Sequence, residues 1–246
     1  MVMFLLKLKT YVKESIKLKK NHPDRFDILN LIKFFPLWLK KTNKKYSPLK
    51  DERPWITFSA FNFLEKVLTS DMSVYEYGMG GSTLFFAKRV REIVSVEHDK
   101  QWFIHVQETI KNKGYCNWRG YLLEPNIMTE NTNINPSDPD SYTSQDSRFN
   151  GKNFTDYALH IDQYPDEYFD IIVIDGRARP SCFKHSLKKV KKGGFIVLDN
   201  SERDYYYFIN KSLDNNNWFK KEFYGPGPYG ENFWQTSFWN KNLNQL

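Results

Sequence analysis

The stretch Ser73–Asp99, SVYEYGMGGSTLFFAKRVREIVSVEHD, constrains the fold more than any other part of the chain. A short apolar strand through Val74 and Tyr75 leads to Glu76, and a glycine turn follows at Gly78, Gly80, Gly81 and Ser82. Thr83–Ala87 opens a helix, and Ile93–Val96 is a second strand tipped by Glu97. Strand, glycine turn, helix and acid-tipped strand make the first half of a nucleotide-binding α/β unit. Further on, FDIIVIDG (Phe169–Gly176) and FIVLDN (Phe195–Asn200) are continuous apolar runs closed by Asp175 and Asp199, as in strands buried on both faces. Helical patterns lie around 59–68, 100–113, 155–164 and 181–190, and residues 118–123 read as another strand. Strands that alternate with helices predict a doubly wound parallel sheet. Two aromatic runs, Trp218–Tyr224 and Asn232–Trp239, flank GPGPYGE and predict a terminal antiparallel hairpin.

In such a sheet, ligands bind beyond the carboxyl ends of the strands. Glu76, Glu97, Asp175 and Asp199 all fall there. A dinucleotide phosphate would want cations and helix N-termini at that rim, and an acid directly before the turn would repel it. The third glycine or alanine of the dinucleotide fingerprint is replaced by Thr83. S-adenosylmethionine (SAM) carries a sulfonium, an ammonium and no phosphate, so an acidic rim suits it, with Glu97 placed for the ribose hydroxyls. The cofactor-contacting set expected on this reading is Glu76, Tyr77, Gly78, Gly80, Gly81, Ser82, Thr83, Glu97, His98 and Asp175.

These residues resemble the class I SAM-dependent methyltransferases. EYGMGGS (Glu76–Ser82) is similar to their motif I, SVEHD (Ser95–Asp99) to their ribose-binding strand end, and the two apolar runs to their fourth and fifth strands. The resemblance covers about 55–239. It implies a Rossmann-like seven-stranded sheet, six strands parallel and the last antiparallel, with helices on both faces. It also implies methyl transfer from SAM to an acceptor, expected here to be a hydroxyl of a small molecule or of a sugar or glycan precursor. Asp175 with Asp199 and Asn200 is similar to the metal triad of catechol-type O-methyltransferases and would imply Mg²⁺, a hard cation suited to these oxygens. A departure weighs against that. Those enzymes carry a lysine three residues after the first aspartate, where this chain has Ala178 between Arg177 and Arg179. Asp175, Arg177 and Glu202 are the expected catalytic set, the arginines being suited to an anionic substrate.

Charge is distributed unevenly. Residues 1–50 hold twelve lysines and Arg25 against Glu14, Asp24 and Asp27, a net +10, so the rest of this +7 chain carries −3. The expected division is a basic helical extension, 1–53, and a SAM-binding domain, 54–246. Leu5, Leu8, Val12 and Ile16 recur near helical spacing, and a second helix is expected from Asp27 to Lys40, bent or restarted at Pro36. Residues 41–54 read as a linker. The extension is either a solvated cap or a surface that meets an anionic membrane or RNA. That keeps two alternatives open: an RNA methyltransferase guided by the basic extension, and a non-catalytic SAM-fold binding protein. The Asn/Asp-Pro-Pro-Tyr signature of many base methyltransferases is absent after Ile174. Two cysteines, Cys116 and Cys182, give no disulfide framework, and the apolar N-terminus precedes its first lysine, the reverse of a signal peptide. Both point to a cytoplasmic location, with peripheral membrane contact through 1–50 as an option. The polar stretch 124–153, with Tyr142, Arg148 and Phe149, is expected to be a lid. His160 and His185 are candidate bases, Asp146 and Arg148 candidate ligand contacts, and Trp55, Phe58 and Phe61 either pocket or core.

Overall fold

In a computed structural model, residues 2–128, 135–214 and 218–241 are described. Helix α1 (Val2–Asn21) and helix α2 (Ile28–Lys41) form an N-terminal layer. Asp27 caps α2 by accepting hydrogen bonds from the Leu29 and Asn30 amides. Of the two outcomes expected at Pro36, a bend or a restart, the restart does not occur, and the helix is continuous through Pro36. Pro36 and Ile32, whose carbonyl the proline leaves without a helical donor, both lie on the exposed side, where water can serve that carbonyl. Short α3 (Pro48–Asp51) and α4 (Phe58–Val67) follow, each capped by a hydroxyl, Ser47 and Thr57.

The alternating part is β1 (Ser73–Tyr77), α5 (Gly81–Ala87), β2 (Glu92–Glu97), α6 (Lys100–Asn112) and β3 (Trp118–Leu122). It continues with α7 (Thr155–Leu159), β4 (Phe169–Ile174), α8 (Arg179–Lys189), β5 (Val190–Asp199), α9 (Tyr207–Asp214), β6 (Trp218–Gly225) and β7 (Trp234–Lys241). The sheet order is β3-β2-β1-β4-β5-β7-β6. Only β7 runs against its neighbours, so six strands are parallel and the last is antiparallel. The chain leaves β1 for β2 on one side and returns to β4 on the other, which creates a crevice between the ends of β1 and β4.

Alternation along the strands sorts side chains into two cores. Tyr75, Tyr77, Ile172 and Ile174 join the layer of α7 and α8, while Val74, Ile171 and Val173 meet Phe85 and Phe86 of α5. A third cluster binds the N-terminal layer to the sheet domain: Tyr11, Leu18, Leu31, Phe34 and Trp38 pack on Phe58 and Phe233. Glu14 accepts from the Phe233 amide at 3.1 Å, and Arg25 pairs with Glu222 at 2.6 Å.

Residues 41–54 are not a free linker. Lys41 and Asp51 pair at 2.7 Å, and the carbonyls of Pro48 and Arg53 close on the glycine turn. A Cβ at Gly81 would stand 2.2 Å from Pro48 O and 2.5 Å from Arg53 O, so only glycine lets this segment approach. In the stretch 124–153, Asn126–Ile127 pairs antiparallel with Lys152–Asn153, and residues 129–134 lie outside the described residues.

Trp38 is fully buried at the junction of the N-terminal layer. Trp38→Ala should cost about 3–5 kcal/mol, as for other large aromatic truncations in cores. Denaturant unfolding followed by fluorescence and circular dichroism checks this. A loss below about 1 kcal/mol would mean that the helices are not packed as described.

Candidate functional site

Glycine at position 78 takes φ +89°, and a Cβ there would press on the Gly176 backbone at 3.0–3.1 Å. This lets the turn after β1 lie against the end of β4. Side chains fix the turn's backbone. Glu97 Oε2 accepts from the Met79 amide at 3.1 Å, and Trp102 Nε1 donates to Met79 O at 2.7 Å. The other Glu97 oxygen accepts from the amides of His98 and Asp99 at 2.7 and 2.9 Å. The His98 Nδ1 atom also lies 2.7 Å from it, but without the alignment of a hydrogen bond.

Above the turn is a cleft of about 490 Å³. Of the residues expected to touch a cofactor, Gly78, Gly80, Gly81, Ser82, Glu97, His98 and Asp175 line it. Glu76, Tyr77 and Thr83 do not. Strand β1 ends at Tyr77 rather than Glu76, and alternation sends their side chains into opposite layers. Tyr77 donates to Ala158 O at 2.9 Å inside the α7–α8 core. Thr83 is buried under the turn, accepting from the Gly80 amide at 2.8 Å and donating to Glu76. Glu76 is fully buried and receives Ser95 Oγ at 2.7 Å. Burial pushes its pKa up to about 7, against the hydrogen bonds from Thr83, Ser95 and Ser82. Met79 lines the cleft from within the glycine motif, and Pro48 and Trp102, which belong to no sequence motif, line it as well.

A second cleft, about 620 Å³, shares Trp55 and Asp175 with the first. Glu202 and Arg203 line it from the loop after β5, Phe233 and Trp234 from the start of β7, and Lys17 from α1. Glu202 Oε2 accepts from the Gln235 amide at 2.9 Å. A third pocket, about 360 Å³, adjoins both and is lined by Arg148, Arg177, Arg179 and Arg203. Asp146, held near pKa 2 by its hydrogen bonds with Arg148, also meets Arg177 at 3.2 Å. The buried Arg177 Nε has no partner among the described residues.

The expected magnesium triad does not fit this geometry. The Arg179 guanidinium lies among its members. It donates to Asp175 Oδ1 and Asp175 O at 2.9 Å, to Gly176 O at 3.1 Å and to Asp199 O, with Asn200 Oδ1 at 3.5 Å. Asp199 Oδ1 already accepts Trp234 Nε1 at 2.8 Å and Thr236 Oγ1 at 2.6 Å. Burial, then the charge of Asp175, raises Asp199 to about 8, so it tends to keep its proton. A dication would have to displace a cation that satisfies these same oxygens. No trio of His, Cys, Asp or Glu suited to a metal occurs among the described residues.

Neither histidine candidate reaches a cleft. His160 is buried with Nδ1 2.9 Å from Tyr75 Oη, and burial lowers its pKa to about 4. His185 sits between Asp162 at 2.6 Å and Tyr142 Oη at 3.1 Å, tying the 124–153 stretch to α8. Phe58 and Phe61 are core, whereas Trp55 is 45% exposed and faces both clefts. From the expected lid, Arg148 and Phe149 form one wall of the cleft above the glycine turn.

No protein-family model and no curated protein matches the sequence. Solved structures do match its fold. One is a Streptococcus mutans protein assigned as a methyltransferase and solved with S-adenosylhomocysteine (SAH). It is 13% identical, aligns over 72% of this chain and 93% of its own, and has a TM-score of 0.50. Another is an rRNA methylase from Streptococcus thermophilus, 14% identical, over 75% and 95% of the two chains, with a TM-score of 0.52. The chain has the class I methyltransferase fold. In that fold the glycine turn stands at the switch point between β1 and β4, where the order of the sheet places its ligand crevice, and Glu97 reaches the same cleft from the tip of β2.

Buried Glu76 gives this turn a pH signature. The native state holds a proton up to about pH 7 that the unfolded glutamate loses near 4.5. The contribution of Glu76 to stability is therefore full below about pH 4.5 and is lost as pH rises to about 7, by up to roughly 3 kcal/mol. Glu76→Gln cannot titrate, so its stability relative to wild type should climb across that window in urea titrations. Parallel profiles for the two proteins would contradict the assignment.

Proposed function

We propose that the protein is a SAM-dependent methyltransferase that O-methylates a small anionic acceptor, such as a sugar or glycan precursor. The observation that carries this is the junction of the two clefts at Asp175 and Trp55. One cleft holds the glycine turn and a carboxylate suited to ribose hydroxyls, the other is open to a polar substrate, and a group transfer needs donor and acceptor to meet at one point. Bound SAM would supply an electrophilic methyl group.

The cofactor cleft suits that donor. Its turn presents backbone atoms without side chains in front of them, and the carboxylates of Glu97, Asp99 and Asp175 line the same cleft, which suits a cationic ligand. Trp102 and Phe149 offer apolar walls. Asp175 is the group placed to take the acceptor's proton. It is about a third exposed, stands at the junction, and has its pKa raised by burial even beside Arg179, Arg203 and Arg177. A raised carboxylate is a better base for a hydroxyl. The oxygen would gain the methyl group as its proton passes to the Asp175 carboxylate, leaving a methyl ether and SAH. Arg177 and Arg203 lie where a phosphate or carboxylate of the acceptor would be held.

Titration calorimetry should show SAH binding that Glu97→Ala weakens about ten- to hundredfold, the worth of hydrogen bonds to a charged group. Asp175→Asn should keep SAH affinity and lose about 10²–10⁴ in turnover with anionic sugars as acceptors. No binding of SAM or SAH at millimolar concentration would overturn the reading, and an Asp175→Asn variant with wild-type turnover would remove that residue from it.

A further inference from the structure

We propose that the outer face of α1 and α2 lies flat on an anionic membrane surface. Ten of the eighteen large apolar side chains exposed among the described residues fall between positions 2 and 32. They include Val2, Leu5, Val12, Ile16, Leu29 and Ile32, with Ile16, Leu29 and Ile32 between 62% and 75% exposed. Exposed apolar patches of this extent mark interaction surfaces rather than ordinary protein exterior.

The face is preformed. Between the two helices runs a groove of about 410 Å³, lined almost wholly by apolar side chains, among them Leu8, Val12, Ile16, Ile28, Ile32 and Phe35. Its floor is rigid, because Tyr11 donates to Leu31 O at 2.7 Å and Leu31, Phe34 and Trp38 pack inward. The inward side of each helix is already used, so the outward apolar rows have nothing to pack on within the described chain. These rows are not a surplus of core residues turned outward by chance. Tyr11, Glu14 and Leu18 repeat at helical spacing on the inner face, and Val12 and Ile16 repeat on the outer one.

Charge selects the occupant. Lys9, Lys13, Lys19, Lys20 and Lys33 are exposed on the same two helices, in a segment that carries +10. Apolar rows bordered by lysines are the pattern of a helix lying in the headgroup region of an anionic bilayer. No helix among the described residues is long and apolar enough to cross a membrane, so the contact is interfacial. The same lysines oppose apposition of a second copy by this face, since both surfaces would be cationic. An RNA backbone would engage the lysines but leave the rows of Leu, Ile and Val unused.

Flotation of the full chain tests this, with vesicles of phosphatidylcholine alone and of phosphatidylcholine with phosphatidylglycerol. The wild type should float with the anionic vesicles, remain below with the neutral ones, and be released by salt. The double variant Ile16→Glu, Ile32→Glu should lose flotation with an unchanged melting temperature, since both side chains are exposed. The triple variant Lys9→Gln, Lys13→Gln, Lys20→Gln should weaken it severalfold. A wild type that does not float, or a glutamate variant that floats equally, overturns the proposal. So does a wild-type dimer that the glutamate variant converts to monomer while vesicles leave it intact, because the face would then belong to a second copy. Salt-sensitive RNA retention without vesicle binding would assign it to nucleic acid instead.

Discussion

The buried guanidinium of Arg179 is the interaction on which the functional rim of the sheet depends. A cation removed from water must be met on every side, and this one is met by the carbonyls of Asp175, Gly176 and Asp199 and by the Asp175 carboxylate. Those groups belong to the ends of neighbouring strands β4 and β5, so one side chain joins two loops that would otherwise diverge. It does so from the first turn of α8, behind Ala178 at φ +46°, and beside Asn200 at φ +52°. Two non-glycine residues in the left-handed region cost of order 1 kcal/mol each, and the guanidinium's hydrogen bonds offset that strain. The outcome is a carboxylate, Asp175, held at the meeting point of two clefts.

The same interaction explains why the resemblance to a metal triad does not carry over to this site. Asp175, Asp199 and Asn200 carry the residue types of a metal triad at strand ends, but a linear pattern does not reveal that a side chain four residues on will fold back among them. The fold itself was easier to read. Continuous apolar runs closed by acids, a glycine turn and a Gly/Pro-rich hairpin loop are local signals, and local signals set strand number and direction. Glu76 shows where they stop. Period-two alternation from Val74 already implied that Glu76 and Tyr77 leave the strand on opposite faces, but only the packing of α5 shows that Glu76 is sealed beneath the turn. Pro48 and Trp102 were illegible for a related reason. Their places in the cleft arise from contacts across distant parts of the chain, and the segment holding Pro48 carries the composition of a linker.

The N-terminal layer has two faces with different physical roles. Its inner face is an aromatic cluster that continues the domain's core through Phe58 and Phe233. From there Lys17 reaches the second cleft, so α1 helps to form the site as well as covering the fold. Its outer face carries Ile16, the neighbour of Lys17 in sequence, at 62% exposure. The basic character of the chain therefore gathers on a rigid surface beside the mouth of that cleft, while the acids gather at the rim where a cationic donor would be held.

A crystal structure of the complex with SAH tests most directly whether the donor and acceptor clefts meet at Asp175. The ligand should lie along Gly78–Ser82, with its ribose on Glu97 and its sulfur open toward Asp175 and Trp55. A ligand seated elsewhere, or one whose sulfur is walled off from the cleft of Glu202 and Arg203, would contradict that arrangement.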